Sequence, residues 1–208
     1  YIKRDRLEGK VSAFYTRYQN YILSLQVPDP RNPANFISQV TNAGKASYRG
    51  ATASLSYQLL SWLSGFANAG VLSTHLDKYD GPAQNAPNQT QALGLQASWH
   101  GWEAFLAAHR RGRRFATYLD AFGNSNTFSF YRLPSITTLD ASLAWSWKNH
   151  AGSGWQNIRR FTARLNVTNL TDVRDPTSAG AANYSLSNPY LYLNTPIQIM
   201  GSVSARFF

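Results

Sequence analysis

The chain has no cysteine, a single methionine, and only 10 acidic side chains against 20 lysines and arginines, a formal net charge of +10 over 208 residues. Without cysteine there is no disulfide framework and no thiolate-ligated metal or cluster. Charged residues make up only 14% of the chain and aromatic residues also 14%, which excludes a disordered polyelectrolyte. A long hydrophobic run is missing too. The most apolar stretch, residues 59–72, is too short and too interrupted to cross a bilayer as a helix. The opening YIKRDRLEGK has no apolar core of a secretory leader, so the numbering is expected to start inside a longer chain.

What the chain does have is alternation. Along 161–167 the odd positions are Phe161, Ala163, Leu165 and Val167, separated by Thr162, Arg164 and Asn166. The same period of two runs through 139–147, 51–59 and 197–207, and more weakly through 11–15, 67–71, 93–99 and 102–110. Period two is the signature of a strand with one apolar face. It predicts an all-β, antiparallel fold with about eight strands. Residues 1–3 read as the tail of one more strand.

Alternation alone does not say what the apolar face meets. Three features point to lipid. The strands approach the ~10 residues that a tilted membrane strand needs. The polar face is small and neutral, built of Ser, Thr, Gln and Asn. The connections also alternate: 59–65, 99–102 and 148–155 are short, whereas 22–44, 75–89, 111–135 and 171–196 are long. Short periplasmic turns facing long extracellular loops are characteristic of a transmembrane β-barrel. Trp62, Trp99, Trp102, Trp147 and Trp155 lie in or beside the short connections, where an aromatic girdle at one membrane interface is expected. The chain end is then periplasmic, and the first strand runs upward.

At this point the residues resemble a family. The run RRFTARLNVTNLTDVRDP at 159–176, followed by NTPIQIMGSVSARFF, is similar to the C-terminus of TonB-dependent outer-membrane receptors. That family closes with Asn-Leu-Phe-Asp, a long loop, and a strand ending in Phe. Here Asn169-Leu170-Thr171-Asp172 stands in its place, with Thr171 for Phe. VSAFYTRYQNYI at 11–22, NAGKASYRGATASLSYQL at 42–59 and SGFANAGVLSTHLDKYDG at 64–81 resemble earlier strands of the same barrel. In many barrels the terminal Phe shares the lipid-facing parity. Here that parity ends at Phe207, and Phe208 falls on the other face.

The resemblance implies the C-terminal part, residues 1–208, of a barrel of about 22 strands, the size of plugged outer-membrane transporters. No plug domain and no TonB box stand in the sequence. The implied function is uptake of a ferric siderophore or similar scarce chelate across the outer membrane of a Gram-negative bacterium. The implied partners are TonB acting through the missing plug, outer-membrane lipid and lipopolysaccharide, and the barrel assembly machinery through the C-terminal Phe. Two other readings fit the alternation: a self-contained eight-stranded barrel acting as adhesin or membrane enzyme, and a soluble β-rich anion binder.

The most conspicuous cluster is His109-Arg110-Arg111-Gly112-Arg113-Arg114, at the expected extracellular end of its strand. By parity, His109, Arg111 and Arg113 face the lumen mouth, and Arg110 and Arg114 face the rim of the outer leaflet. The inner three could draw in an anionic ligand, and the outer two could pair with lipopolysaccharide phosphates. A plain solvated strand end is the third reading. Tyr118, Asp120, Asn124, Asn126 and Tyr131 in one flanking loop, and Asn183, Tyr184, Tyr190 and Tyr192 in the other, are further candidates for gripping a chelate. On the lumen face a pairing of Asp140 with Arg164 is plausible.

No nucleic-acid partner is expected, because no recognition helix, stacking strand or zinc site accompanies the basic run. His75, His100, His109 and His150 lie on separate segments without ligand spacing, so no metal site is expected. Neither a catalytic residue nor a cofactor is called for, since no nucleophile with base and no phosphate-cradling glycine loop is singled out.

Overall fold

The computed structural model describes residues 1–42, 44–119, 129–148, 158–182 and 185–207. Eight long strands form its frame: β2 (Leu7–Tyr18), β5 (Ala46–Leu60), β6 (Leu63–Leu76), β7 (Gln89–Trp99), β8 (Trp102–Arg111), β11 (Ile136–Lys148), β12 (Ile158–Thr168) and β15 (Gln198–Phe207). With the short β1 (Ile2–Arg4) they make one nine-stranded antiparallel sheet in the order β1-β2-β5-β6-β7-β8-β11-β12-β15. Its two edges, β1 and β15, are not paired with each other, so the closed eight-stranded alternative is not what the described residues form.

The exposed residues reveal which way the sheet faces. Val11, Leu55, Val71, Leu93, Leu106, Leu143, Leu165, Ile199 and Val203 are all large, apolar and exposed. A soluble protein does not leave so continuous an apolar surface in water. The register aligns these positions in rows. Leu95 lies opposite Leu106, and Leu106 opposite Ala141; one step toward the long connections, Leu93 lies opposite Ala108 and Ala108 opposite Leu139. The next row outward is polar: Gln91, Arg110 and Thr137. At the other end the band closes on Trp99, Trp102 and Trp145, which lie directly opposite one another. Along β11 the apolar parity extends from Leu139 to Trp147, about 26 Å at ~3.3 Å per residue. At a tilt of ~40° that is roughly 20 Å of height, close to the apolar band of an outer-membrane barrel.

The two ends of the sheet differ. Asp5 and Arg6, Ser61 and Trp62, and His100 and Gly101 make two-residue turns at one end. His100 and Gly101 both have positive φ, 47° and 84°, as the tight hairpin turns that match strand twist require. At the other end, three of the long connections are hairpins where loops were expected: β3 (Ile22–Asp29) with β4 (Asn32–Asn42), β9 (Arg114–Leu119) with β10 (Ser129–Leu133), and β13 (Pro176–Ala182) with β14 (Ser185–Leu193). Pro28, Pro30 and Pro33 hide the first from a search for alternation; Pro30 lies in its turn, and Pro33 lies near the start of β4, an edge strand, where Pro is tolerated. The fourth connection, 77–88, holds one 3-10 turn, Asp77–Tyr79. β3 meets β9 through a parallel pair at Gln26 and Leu119, joining two hairpins into a four-stranded sheet.

The chain's small core sits at this end. Leu23, Ala46, Leu76, Ala83, Leu133 and Ile136 are buried where strands meet the long connections. The β12–β15 ladder is irregular between Ile158 and Arg160, next to Phe207. Phe207 keeps the apolar parity, and Phe208 lies outside the described residues.

Candidate functional site

On the inner face, the register builds two polar rows near the long connections. One runs Lys10, Ser54, Asn68, Ala92, His109 and Thr138; the other runs Ser12, Thr52, Gly70, Thr90, Arg111 and Ile136. These rows, with Thr177 and Asn194 from the last long connection, line a cavity of about 590 Å³. Lys10 and Arg111 give it cationic walls. His109 Nε2 lies 3.6 Å from Asp140 Oδ2 across the strands. Expected lumen positions His109 and Arg111 are therefore together, and Lys10, which sequence reasoning passed over, joins them.

Asp140 also anchors the turn that follows β12. Its Oδ1 accepts a 2.8 Å hydrogen bond from the Asn169 backbone N–H. Asn169 is buried and holds positive φ, 52°. Its Nδ2 donates to the carbonyls of Val173 (3.0 Å) and Thr195 (2.8 Å), and its Oδ1 accepts from Val173 N–H (3.0 Å). Asp172 also has positive φ, 49°, and its Oδ1 accepts from Ile197 N–H at 2.9 Å and Arg174 Nε at 2.7 Å. The hydrogen bond from Arg174 is the main cause, and that from Ile197 the next, that holds the Asp172 carboxyl below its ordinary pKa. The Asn-Leu-Thr-Asp motif thus clips the start of the last long connection to its end, immediately beside His109 and Asp140.

Arg114 departs from the alternation. The expected position was the outer rim; instead it is 2% exposed and donates to the Thr177 carbonyl on β13. The cause is a break between β8 and β9 at Gly112 and Arg113, which ends the period of two. A Cβ on Gly112 would lie 2.5 Å from Asn88 Oδ1 and 3.0 Å from Gln89 N, so only glycine lets 88–89 approach so closely. Gly112 N–H donates to Gln89 O at 2.7 Å, and Asn88 N–H to Arg113 O at 3.0 Å. Burial, and secondly the neighbouring Arg111, push the Arg114 pKa down. Its Nη1 has no hydrogen-bond partner among the described residues. An unpaired buried donor costs about 1–3 kcal/mol, more when charged. Arg110 keeps its outward parity in the row with Gln91 and Thr137, and with Gln91 it also lines the cavity; Arg113 is exposed.

Other candidates fall out as follows. The Asp140–Arg164 pairing does not form: Arg164 stands opposite Ala144, which stands opposite Glu103, and Glu103 Oε2 lies 3.5 Å from Arg164 Nη2. Tyr118 lies on β9 opposite Phe130, Tyr131 at the register shift of β10, and Tyr190 on β14 opposite Gly180. Tyr192 is exposed. Tyr184, Asp120, Asn124, Asn126, Asn183 and Trp155 lie outside the described residues. Trp62, Trp99, Trp102 and Trp147 sit toward the turn end, and Trp145, not among the expected girdle, sits with them: its ring is 6.4 Å from that of Trp102. A cluster of Tyr18, Tyr21 and Tyr48 at the start of β5 was also missed; the Tyr48 hydroxyl donates to that of Tyr21 at 3.0 Å. Among the described residues no group of three His, Asp or Glu side chains is placed to hold a metal ion.

Comparisons with known proteins agree with this architecture. Residues 2–170 match the family described as TonB dependent receptor-like, beta-barrel. A comparison with curated protein sequences finds no match. Among solved structures, the copper transporter OprC superposes with a TM-score of 0.72 at 17% identity, over 99% of this chain and 29% of that one. The ferric yersiniabactin uptake receptor FyuA from Yersinia pestis gives 0.67 at 17% identity, over 99% of this chain and 28% of that one. The unliganded ferric citrate transporter FecA gives 0.64 at 16% identity, over 98% and 29%. The chain therefore spans less than a third of the length of these relatives.

Proposed function

Because the chain belongs to the TonB-dependent receptor-like β-barrel family, we propose that it is the C-terminal share of an outer-membrane receptor that takes up a ferric siderophore or a similar anionic chelate. The observation that carries this reading is the cationic cavity on the inner face at the end of the long connections, with Lys10, His109 and Arg111 in adjacent rows. Clustered positive charge in a concave, low-dielectric wall raises the local concentration of an anion. The cap of hairpins captures the chelate there, with Arg113, Tyr118, Tyr131, Tyr184 and Tyr190 as its polar and aromatic contacts. An N-terminal plug completes the site from below, and TonB acts on that plug to open a path. Arg110, at the polar edge of the apolar band, contacts lipopolysaccharide phosphate. The tryptophan-rich end lies at the periplasmic interface, and the C-terminal Phe is read by the barrel assembly machinery.

The test replaces Arg111 and Arg113 together with Gln in the intact receptor. Cellular uptake of radioactive iron is measured with a panel of ferric chelates at low and high ionic strength, with receptor abundance in the outer membrane as control. The reading expects uptake of anionic chelates to fall, most at low salt, where screening is weakest. Unchanged uptake at both ionic strengths and normal abundance would remove the arginines from the ligand path.

A further inference from the structure

We propose that Arg114 and Arg111 form a recessed site for one oxyanion, a phosphate or carboxylate group carried by the soluble ligand that enters the mouth. The inference rests on the receptor reading and names the chemical group that the mouth grips.

Three observations converge on it. The first is the Arg114 guanidinium itself. It is 2% exposed, one terminal nitrogen is used on the Thr177 carbonyl, and the other, Nη1, has no partner among the described residues. A guanidinium is a permanently charged planar fork whose complement is a two-oxygen anion. The second is the company it keeps. Arg111 is close enough to oppose the charge on Arg114, and among the described residues no ion pair involves either arginine. The Asp140 carboxylate, four positions further along β11 from the partner of Arg111, is engaged by His109 and by the Asn169 N–H. Two adjacent cations without a counter-ion repel each other until an anion stands between them. The third is access. Arg111 and Thr177, the latter the acceptor of the Arg114 hydrogen bond, both line the cavity on the inner face, and Arg114 lies behind them, outside that lining.

Parity separates this site from one for a lipid headgroup. Arg114 left the outward parity at the Gly112 break, whereas Arg110 keeps it, although Arg110 too is among the residues that line the cavity. A phosphate on the membrane surface reaches Arg110, whereas an oxyanion inside the mouth reaches Arg111 and Arg114.

The experiment uses the intact receptor in detergent, with inorganic phosphate as probe and sodium chloride of matched ionic strength as reference. Thermal unfolding gives half-saturation, and phenylglyoxal labelling mapped by mass spectrometry reports each arginine. Phosphate is expected to raise the unfolding temperature beyond chloride and to protect Arg111 and Arg114 from labelling, but not Arg206 at the turn end. In Arg114→Gln and Arg111→Gln the half-saturating concentration should rise by about tenfold or more, a loss equal to one power of ten in affinity. Arg206→Gln, at the turn end of the sheet opposite Arg160, should leave it unchanged. If Arg114→Gln fails to fold, Arg114→Lys, which keeps the charge and loses the fork, and the labelling of the unmodified receptor decide the matter. Unchanged half-saturation in a folded Arg114→Gln, or labelling of Arg114 that phosphate does not slow, overturns the site. So does protection of Arg114 by nanodiscs containing lipid A but not by phosphate. Loss of chelate uptake on replacing Arg111 and Arg113, with phosphate binding indifferent to Arg114, overturns this site and leaves the receptor reading standing. Arg114-dependent phosphate binding, in a receptor whose uptake ignores Arg111 and Arg113, supports the site and removes the chelate reading.

Discussion

The two ends of the nine-stranded sheet are ordered by different physics. At the turn end three described connections reverse through pairs of residues, and their main requirement is backbone geometry, as at His100 and Gly101. At the mouth end the connections are long, and side chains far apart in sequence hold them. Asn169 reaches Thr195 and Val173, Asp172 reaches Ile197, and Arg114 reaches Thr177. The turn end is therefore specified locally and forms cheaply, whereas the mouth depends on a few polar groups that must all find partners. The mouth is where a ligand has to be admitted, and an end built from separable clips can be rebuilt for a new ligand without disturbing the barrel wall.

Three substitutions break or sharpen this contrast. The largest effect is expected from Asn169→Ala. It removes three side-chain hydrogen bonds, takes the donor from the Thr195 carbonyl and the acceptor from the Val173 N–H (the Val173 carbonyl keeps Asn194 Nδ2), and puts Ala at positive φ. A loss of about 3 kcal/mol is expected, seen as new protease cleavage within 171–197 and a lower urea midpoint. Cleavage unchanged from the parent would mean that the mouth is not held by this clip. Next comes Gly101→Ala at the other end. A Cβ there would stand 2.5 Å from the Ser146 carbonyl oxygen, at φ 84°. About 2 kcal/mol is expected, with no new cleavage in 171–197. Gly201→Ala is the internal control, because a Cβ there meets nothing within 4 Å. It should change stability by no more than about 0.5 kcal/mol.

The smallest effect concerns pH. Asp172 has a folded pKa below its ordinary 3.8, chiefly through Arg174. Its contribution is fully present above that ordinary value and is lost as pH falls through the lowered folded value. Acid below about pH 4 should thus loosen residues 172–197 by hydrogen exchange while the turn at 100–101 stays protected. Asp172→Asn should abolish that acid step. An equal response at both ends would show that the acid acts on the whole sheet.

The barrel wall was legible in the sequence because its apolar and polar residues alternate without interruption. All eight spanning strands, their outward parity, and the alternation of short and long connections follow from that pattern. Register was not legible. Alternation places Arg164 and Asp140 on the same face but says nothing of neighbours, and it is Glu103 that the ladder brings to Arg164. The hairpins of the mouth escaped because their strands carry Pro28, Pro33 and Pro176 and have no single solvent to impose a period. Arg114 was misplaced because parity counts through Gly112, and the chain does not. A glycine between arginines was the available signal: it marks a spot where the backbone closes on a neighbour and the count restarts.

The ladder of Trp99, Trp102 and Trp145 turns the protein into its own optical probe. Three indoles aligned across β7, β8 and β11, with Trp62 and Trp147 nearby, place five of the six emitters toward one edge of the apolar band. Their fluorescence samples a thin slice of the bilayer. Lipids brominated close to the headgroup should quench it strongly, and lipids brominated near the chain ends only weakly. The 6.4 Å separation of the Trp102 and Trp145 rings is also short enough for their excited states to couple. Insertion of the strands into lipid can therefore be followed in real time without attaching a label.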